Sequence, residues 1–486
     1  MNFPLISKLL GIIVLIIGGC LLFPAVWGWY YGESEVWSIL IAAGICAAAG
    51  AGLFFGPGAA GKKGLTTRDG MAVVGLGWFI MSAFGCLPFV FAGVFPGPAG
   101  VVDAFFETMS GFTTTGATVL TDIEKLPRCL LFWRSMTHWL GGMGIVVLFV
   151  ALMPFLGVGA RQLYRSEAPG ITHDGFLPKI RETARTLWFI YVGISALETI
   201  LLLGAGMPLF EALCHTFGTM ATGGFSTWNK SIAHHDNLGI DIIITIFMLS
   251  AGVNFGLYYM MIGGKMKHAV RDAELRVYLA IFAVSTLAVT ANLWGAKVYE
   301  GVGEALRYAS FQVASLLTTT GYCTANFDVW PPFSKALLVS LMFIGGCAGS
   351  TGGGMKVIRL IVLAKSASLQ IYRAYHPGAA LTVKIGGNPV PEETCNSVNG
   401  FFIISMGLIA AATLFVAMFG YDIVTSFTAV VATFWNIGPG LARVGSIETY
   451  AFFPPAVKAV LAVCMALGRL ELFTVLVLFS PSFWKR

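Results

Sequence analysis

The sequence predicts an all-α polytopic membrane protein: four parallel repeats of span, pore helix, filter loop and span around a pseudo-fourfold pore, plus two extra N-terminal transmembrane helices. Three observations carry that fold class. Of 486 residues, 57% are hydrophobic and only 11% charged, against about 25% charged in an ordinary soluble domain. Apolar runs of about 20 residues, the length that crosses a bilayer, recur along the whole chain. Between some of them, a shorter apolar stretch ending in a Gly turn occurs four times. At a mean hydropathy of +0.80, soluble, disordered, coiled-coil and collagen-like classes are excluded. The net charge of +6 bears on loop sidedness, and no nucleic-acid partner is read from it.

The spans follow in order. Residues 9–30 and 37–55 form the extra pair, within a unit 1–68. Lys8 ahead of an apolar run resembles a signal peptide, and Ile17-Gly18-Gly19-Cys20 weakly resembles a lipoprotein cleavage site. The apolar stretch continues past Cys20, so a retained first helix is expected. Repeat 1 (69–160) has spans 71–95 and 132–155 around the short stretch 102–112. A cytoplasmic loop, 161–186, leads to repeat 2 (187–264), with spans 187–207 and 240–262 around 209–220. Repeat 3 (275–364) has spans 277–294 and 334–363 around 305–317. After a second loop, 365–397, repeat 4 (398–486) has spans 398–419 and 455–479 around 423–434. The short stretches are too short to span and read as re-entrant or core helices. Nine cysteines stand singly, without CxxC or Cys/His ligand spacing, and read as apolar filler.

Threading the chain with Lys8 inside puts 20 of the 30 basic residues on that face, nine on the other, and Arg469 within a span. The positive-inside rule then places both termini in the cytoplasm and all four short stretches on the outer side. Each short stretch ends in a similar cluster: Thr113-Thr114-Thr115-Gly116, Ala221-Thr222-Gly223-Gly224, Thr318-Thr319-Thr320-Gly321 and Trp435-Asn436-Ile437-Gly438. Aligning Gly116, Gly223, Gly321 and Gly438 gives separations of 107, 98 and 117 residues. Parallel copies imply an axis along the membrane normal.

Non-helical backbone at membrane depth survives only buried in protein or lining water, so four converging Gly turns predict a common pore. Backbone carbonyls there can replace the water shell of an alkali cation. Thr hydroxyls add oxygen ligands, and the absence of an acidic ring argues against a divalent site. The candidate filter is therefore Thr114, Thr115 and Gly116; Ala221, Thr222 and Gly223; Thr319, Thr320 and Gly321; and Asn436, Ile437 and Gly438. No bound cofactor is expected, and the only metal is the transported monovalent cation.

Six stretches resemble one family: Ser110-Gly-Phe-Thr-Thr-Thr-Gly-Ala-Thr118, Met136-Thr-His-Trp-Leu-Gly-Gly-Met-Gly144, Ala221-Thr-Gly-Gly-Phe-Ser226, Leu317-Thr-Thr-Thr-Gly-Tyr-Cys323, Asn436-Ile-Gly-Pro-Gly440 and Gly468-Arg-Leu-Glu471. Together they resemble the TrkH family of bacterial potassium uptake systems, over essentially the whole chain. The resemblance implies a potassium-selective, non-enzymatic conductance in the inner membrane among lipids. It also implies a homodimer with one pore per subunit and a cytosolic TrkA-like ring that binds NAD and nucleotides and gates the pore.

Two further constellations stand out. The run 345–354 holds six glycines, each costing about 1 kcal/mol in a helix relative to Ala. It reads either as a tight helix crossing at Gly345 and Gly349 or as an unwound loop. By resemblance the loop is a gate made of Gly345, Gly346, Gly349, Ser350, Gly352, Gly353 and Gly354. Arg469 reads either as the partner of Glu471 or as a positive barrier in the ion path that belongs to the gate. His138 reads as a hydrogen-bonded packing residue. Two rival functions fit the sequence less well. An intramembrane hydrolase with Ser350 as nucleophile lacks a nearby base, and a proton- or sodium-coupled symporter would usually show inverted repeats.

Overall fold

The structure is a computed structural model, and it describes residues 1–56, 66–144, 180–377 and 381–484. The inner part of the loop expected at 161–186, the distal half of the span 132–155, Lys62, Lys63, Lys485 and Arg486 lie outside the described residues.

Four short helices stand where the sequence places them: Gly100–Phe112, Leu209–Met220, Val302–Leu317 and Ile423–Phe434. Each is preceded by a long, continuous outer helix. These outer helices are Thr67–Gly85 with its extension Leu87–Phe91, then Ile180–Gly204, Ala273–Gly295 and Glu392–Ala417. Two of the starts are fixed by local polar caps. Thr66 and Asp69 form a reciprocal capping box, and Asp272 accepts from the Leu275 N–H at 2.9 Å.

The inner helices behave differently, because every one is interrupted. Arg128–Trp139 passes into a π-helical turn, Leu140–Gly144. Leu238–Ala251 is bent by 94° from Phe255–Ile262. Pro332–Leu341 and Val357–Tyr375 are separated by the irregular segment 342–356, and Pro455–Arg469 ends at Leu470. Continuous inner spans at 240–262, 334–363 and 455–479 are therefore corrected to broken ones. Among the described residues, six helices are long and apolar enough to cross a membrane, or seven with the bent pair. The sequence expectation of ten spans counted the interrupted helices as well.

Glycine makes the breaks pack. A Cβ on Gly141 would overlap the Phe112 carbonyl oxygen, and one on Gly468 would overlap that of Phe434. In repeats 1 and 4, the inner helix thus presses bare backbone against the C-terminus of its own pore helix.

The N-terminal pair forms one span with a break at Leu21, Phe3–Cys20 with Leu22–Tyr31, followed by Val36–Phe55. It packs on repeat 1 through the first helix against Thr67–Gly85. Glu33 seals the contact by accepting from the Arg128 N–H at 2.6 Å and the Cys129 N–H at 2.9 Å. Those are orphan donors of an inner-helix N-terminus, where a carboxylate is favoured. All nine cysteines are free thiols, eight of them buried.

Gly468→Ala should lower thermal stability in detergent by about 1–3 kcal/mol, because the clashing atom is backbone and the site is fully packed. Gly44→Ala, where nothing lies within 4 Å, should melt with the parent. Equal melting of all three proteins would refute the close approach.

Candidate functional site

Each pore helix ends in the same hydrogen-bonded turn. Thr115 N–H donates to the Ser110 carbonyl at 2.9 Å, and Gly223 to Gly218, Thr320 to Ser315 and Ile437 to Ala432 at 2.8 Å each. One residue earlier, Thr114 donates to Gly111, Thr222 to Thr219, Thr319 to Leu316 and Asn436 to Thr433. This pair of bonds is the Schellman closure, which puts the residue after the cap in the left-handed region and usually uses glycine there. Here the residues are Thr114 (φ 53°), Thr222 (55°), Thr319 (59°) and Asn436 (56°). A β-branched residue in that region costs about 1–2 kcal/mol, so three of the four turns hold strain at one level.

Two residues on, φ is positive again at Gly116 (82°), Gly224 (79°), Gly321 (81°) and Gly438 (95°). This corrects the register of repeat 2. Gly224, not Gly223, is the counterpart of Gly116, and the equivalent triplet is Thr222, Gly223 and Gly224. The equivalent glycines lie 108, 97 and 117 positions apart. Ala221 drops out, because it caps the pore helix as Thr113, Thr318 and Trp435 do.

The four turns close a ring. A Cβ on Gly116 would overlap the Gly223 carbonyl oxygen, one on Gly224 that of Thr320, and one on Gly321 that of Ile437. One on Gly438 would lie 2.7 Å from the Thr115 carbonyl oxygen. Each glycine therefore sits against the carbonyl of the next repeat, and the fourth returns to the first. Only hydrogen fits at these Cα atoms, independently of the positive φ.

Surrounding side chains hold the turns. His138 is fully buried, stacks on Phe225 with ring centroids 4.0 Å apart, and accepts from the Phe225 N–H at 3.4 Å. That matches its reading as a packing residue. Tyr450 donates to the Gly438 carbonyl at 2.8 Å, and Tyr322 lies 3.0 Å from the His215 carbonyl and 3.1 Å from that of Phe225. Sequence reasoning named Tyr322 only as part of the third cluster, without this role, and did not single out Tyr450. The TTTG motif has a second use as well, since Thr113 and Thr115 share a 2.8 Å hydroxyl contact, as Thr318 and Thr320 do. In the loop after Gly116, a hydrogen bond from the Lys125 ammonium holds the Asp122 carboxyl below the usual carboxylate range.

The segment 342–356 has no helix, which removes the helix-crossing alternative. It folds back on itself through Gly345 N–H to the Met355 carbonyl, 2.9 Å, and lies under filter turns 3 and 4. Gly353 N–H donates to the Thr319 hydroxyl at 2.7 Å. A Cβ on Gly353 would sit 2.7 Å from the Trp435 carbonyl oxygen, and one on Gly346 2.9 Å from that of Gly252. Cys347 N–H reaches the Gly252 carbonyl at 2.8 Å, and the Thr351 hydroxyl that of Ala251 at 3.1 Å. The segment thus occupies the break in inner helix 2. Glu274, from outer helix 3, accepts from Ala348 N–H at 2.8 Å and Ile358 N–H at 2.9 Å. Lys356 donates to the Gly352 carbonyl. Gly349 and Gly354 take positive φ, 73° and 67°. Ser350 lies in the same segment.

Arg469 is the last residue of its helix rather than mid-span. Its guanidinium donates to the Thr351 carbonyl at 2.8 Å and to those of Gly141 and Gly142 at 2.7 and 2.9 Å. It ties the Gly-rich segment to the π turn of repeat 1. Glu471 accepts from Arg359 at the start of the helix after the segment, so the carboxylate has a partner that the pairing with Arg469 did not foresee. Among the described residues, no group of three or more His, Cys, Asp or Glu is arranged to hold a metal ion.

A ring of four re-entrant turns at the centre of a helical membrane bundle defines a pore-loop transport protein. The chain belongs to the TrkH family of cation transport proteins, which it matches over residues 39–486. It is 40% identical to the Trk system potassium uptake protein TrkH of Salmonella typhimurium over 488 residues, covering 100% of both chains. It is 35% identical to TrkG of Escherichia coli, covering 99% of this chain and 98% of that one. The crystal structure of the potassium transporter TrkH from Vibrio parahaemolyticus superposes with a TM-score of 0.89 at 35% identity, covering 100% of both chains. The chain is accordingly a multi-pass membrane transport protein and not an enzyme.

Thr319→Val keeps the side-chain shape and removes the acceptor of the Gly353 N–H. Losing one such bond is worth about 0.5–1.5 kcal/mol, so amide exchange at 345–354 should quicken roughly 3- to 10-fold while the pore helices stay protected. Unchanged exchange in this segment would contradict the docking.

Proposed function

We propose that this chain takes up potassium across the bacterial inner membrane, through the ring at Gly116, Gly224, Gly321 and Gly438, with both termini in the cytoplasm. The closed succession of glycine against neighbouring carbonyl is the observation that carries the reading. Backbone oxygens at fixed spacing can replace the hydration shell of a monovalent cation, and glycine lets the strands approach closely. The ring residues carry no carboxylate, which suits a weakly held monovalent ion over Ca²⁺.

The Gly345, Gly346, Gly349, Ser350, Gly352, Gly353 and Gly354 segment, latched by Arg469, is the gate. It sits below two of the four turns, and it is held by individual hydrogen bonds to backbone, hydroxyl, the Glu274 carboxylate and the Arg469 guanidinium rather than by helical bonding. The working unit is a homodimer in lipid. Its gate is driven by a cytosolic TrkA-like ring that binds NAD and nucleotides and docks on the basic loops. No cofactor is held by this chain itself.

Gly116→Ser should raise sodium permeability relative to potassium, because a Cβ there displaces the Gly223 carbonyl. The permeability ratio in proteoliposomes measures it, and an unchanged ratio in a folded variant rejects the filter assignment.

Arg469 combines a charge with a fork. One unit charge about 6 Å from a passing cation, at an effective dielectric near 20, opposes it by roughly 3 kcal/mol. Arg469→Ala removes both charge and latch and should raise rubidium flux per molecule. Arg469→Lys keeps the charge without the planar fork, and should fall between the two. Flux in Arg469→Ala at or below the parent level would rule out the gating role.

A further inference from the structure

The pore helices carry, six residues before their caps, Glu107, His215, Gln312 and Ala429. Three of these reach the strand that leaves their own filter turn. Glu107 accepts from the Thr118 hydroxyl, 2.9 and 3.0 Å from its two oxygens, and from the Val119 N–H at 2.9 Å. His215 Nε2 lies 3.0 Å from the Ser226 hydroxyl, and Thr118 and Ser226 are equivalent positions. Gln312, with its amide oxygen turned to the loop, accepts from Thr324 N–H at 2.8 Å and Ala325 N–H at 3.2 Å. Ala429 cannot do so, and strand 4 is held by the neighbouring Thr428 hydroxyl, which accepts from Leu441 N–H at 3.0 Å.

Repeat 1 adds something the others lack. Arg134, from the first inner helix, is 2% exposed, and Glu107 is 1% exposed. The Arg134 Nε donates to Glu107 at 2.6 Å, its Nη1 to the Ser226 carbonyl at 2.9 Å, and its guanidinium carbon lies 3.5 Å over the Phe225 ring. One ion pair therefore grips strand 1 at Thr118 and Val119, and strand 2 at Phe225 and Ser226. Phe225 directly follows Gly224. A buried pair is weak support for stability, since packed apolar residues often serve as well. What a charged, forked pair supplies is direction: short bonds at fixed angles to two different strands.

We propose that Glu107 and Arg134 are positioning residues for ion selectivity, setting the separation of filter strands 1 and 2 and hence the fit of the carbonyl ring to potassium. The proposal rests on the filter reading above. It places the selectivity-determining brace behind the ring, in side chains no ion touches.

The test compares sodium and potassium permeability in proteoliposomes for four proteins: the parent, Gly116→Ser, Arg134→Lys, and the double variant Glu107→Met with Arg134→Met. The double variant removes the brace without stranding a buried charge. Its sodium-to-potassium permeability ratio should rise roughly tenfold, the scale of one lost hydrogen bond to a charged group, with folding checked by size-exclusion profile and melting. Arg134→Lys retains the contact with Glu107 but cannot also span to the Ser226 carbonyl, so its ratio should lie between. It decides the matter alone where the double variant does not fold. A shifted ratio in Gly116→Ser with parental ratios in the brace variants makes the pair structural only and overturns the proposal. Parental ratios in all three variants overturn the filter reading and the proposal with it.

Discussion

Everything in this fold follows from the need to satisfy backbone groups at membrane depth without water. A pore helix that stops inside the bundle leaves carbonyls with no intrahelical partner. The chain closes them locally, with the same pair of bonds in all four repeats. That closure forces a left-handed residue, and the left-handed residue turns the following strand back outward. The geometry of the turns is thus a by-product of ending a helix properly. Strain at Thr114, Thr222 and Thr319 persists because the surrounding packing over-determines it.

The same requirement explains why outer helices are continuous and inner helices are broken. An outer helix meets lipid on one side and tolerates no interruption. An inner helix is packed among protein, where a freed carbonyl can find a donor. Arg469 takes the carbonyls of Gly141, Gly142 and Thr351, and the Gly-rich segment takes those of Ala251 and Gly252. The end of the fourth inner helix and the Gly-rich segment of the third thus satisfy freed carbonyls of the first, second and third.

Much of this was legible in the sequence. The limits of the helices Leu209–Met220 and Ile423–Phe434 emerge from hydropathy alone, since a 12-residue apolar stretch bounded by Pro or Asp and by Gly leaves little freedom. The helix breaks were not legible, apart from 345–354, because one or two glycines barely alter the mean hydropathy of a 20-residue window. The register of repeat 2 slipped by one because Gly223-Gly224 offers two glycines, and only φ distinguishes them. Counting from the pore-helix cap instead of aligning the first glycine would have found it. The partners of Arg469 and Glu471 lie more than 100 residues away in sequence, and nothing in local spacing announces them. The Glu107 and Arg134 pair lies only 27 residues apart, but its members sit on two different helices whose packing no local spacing announces, although Glu in a re-entrant apolar helix was itself a signal.

The arrangement ties the ring of turns to the Gly-rich segment more closely than two separate layers would be tied. Thr319 supplies both the strained backbone of turn 3 and the hydroxyl that receives Gly353 N–H. Gly353 also rests against the Trp435 carbonyl of turn 4. Moving the Gly-rich segment therefore strips a partner from a residue already held in an unfavourable conformation, and it frees space beneath a second turn. Turns 1 and 2 are held from behind by the buried ion pair instead. The ring is consequently asymmetric in its supports, with turns 1 and 2 tied by a buried ion pair and turns 3 and 4 resting against the Gly-rich segment.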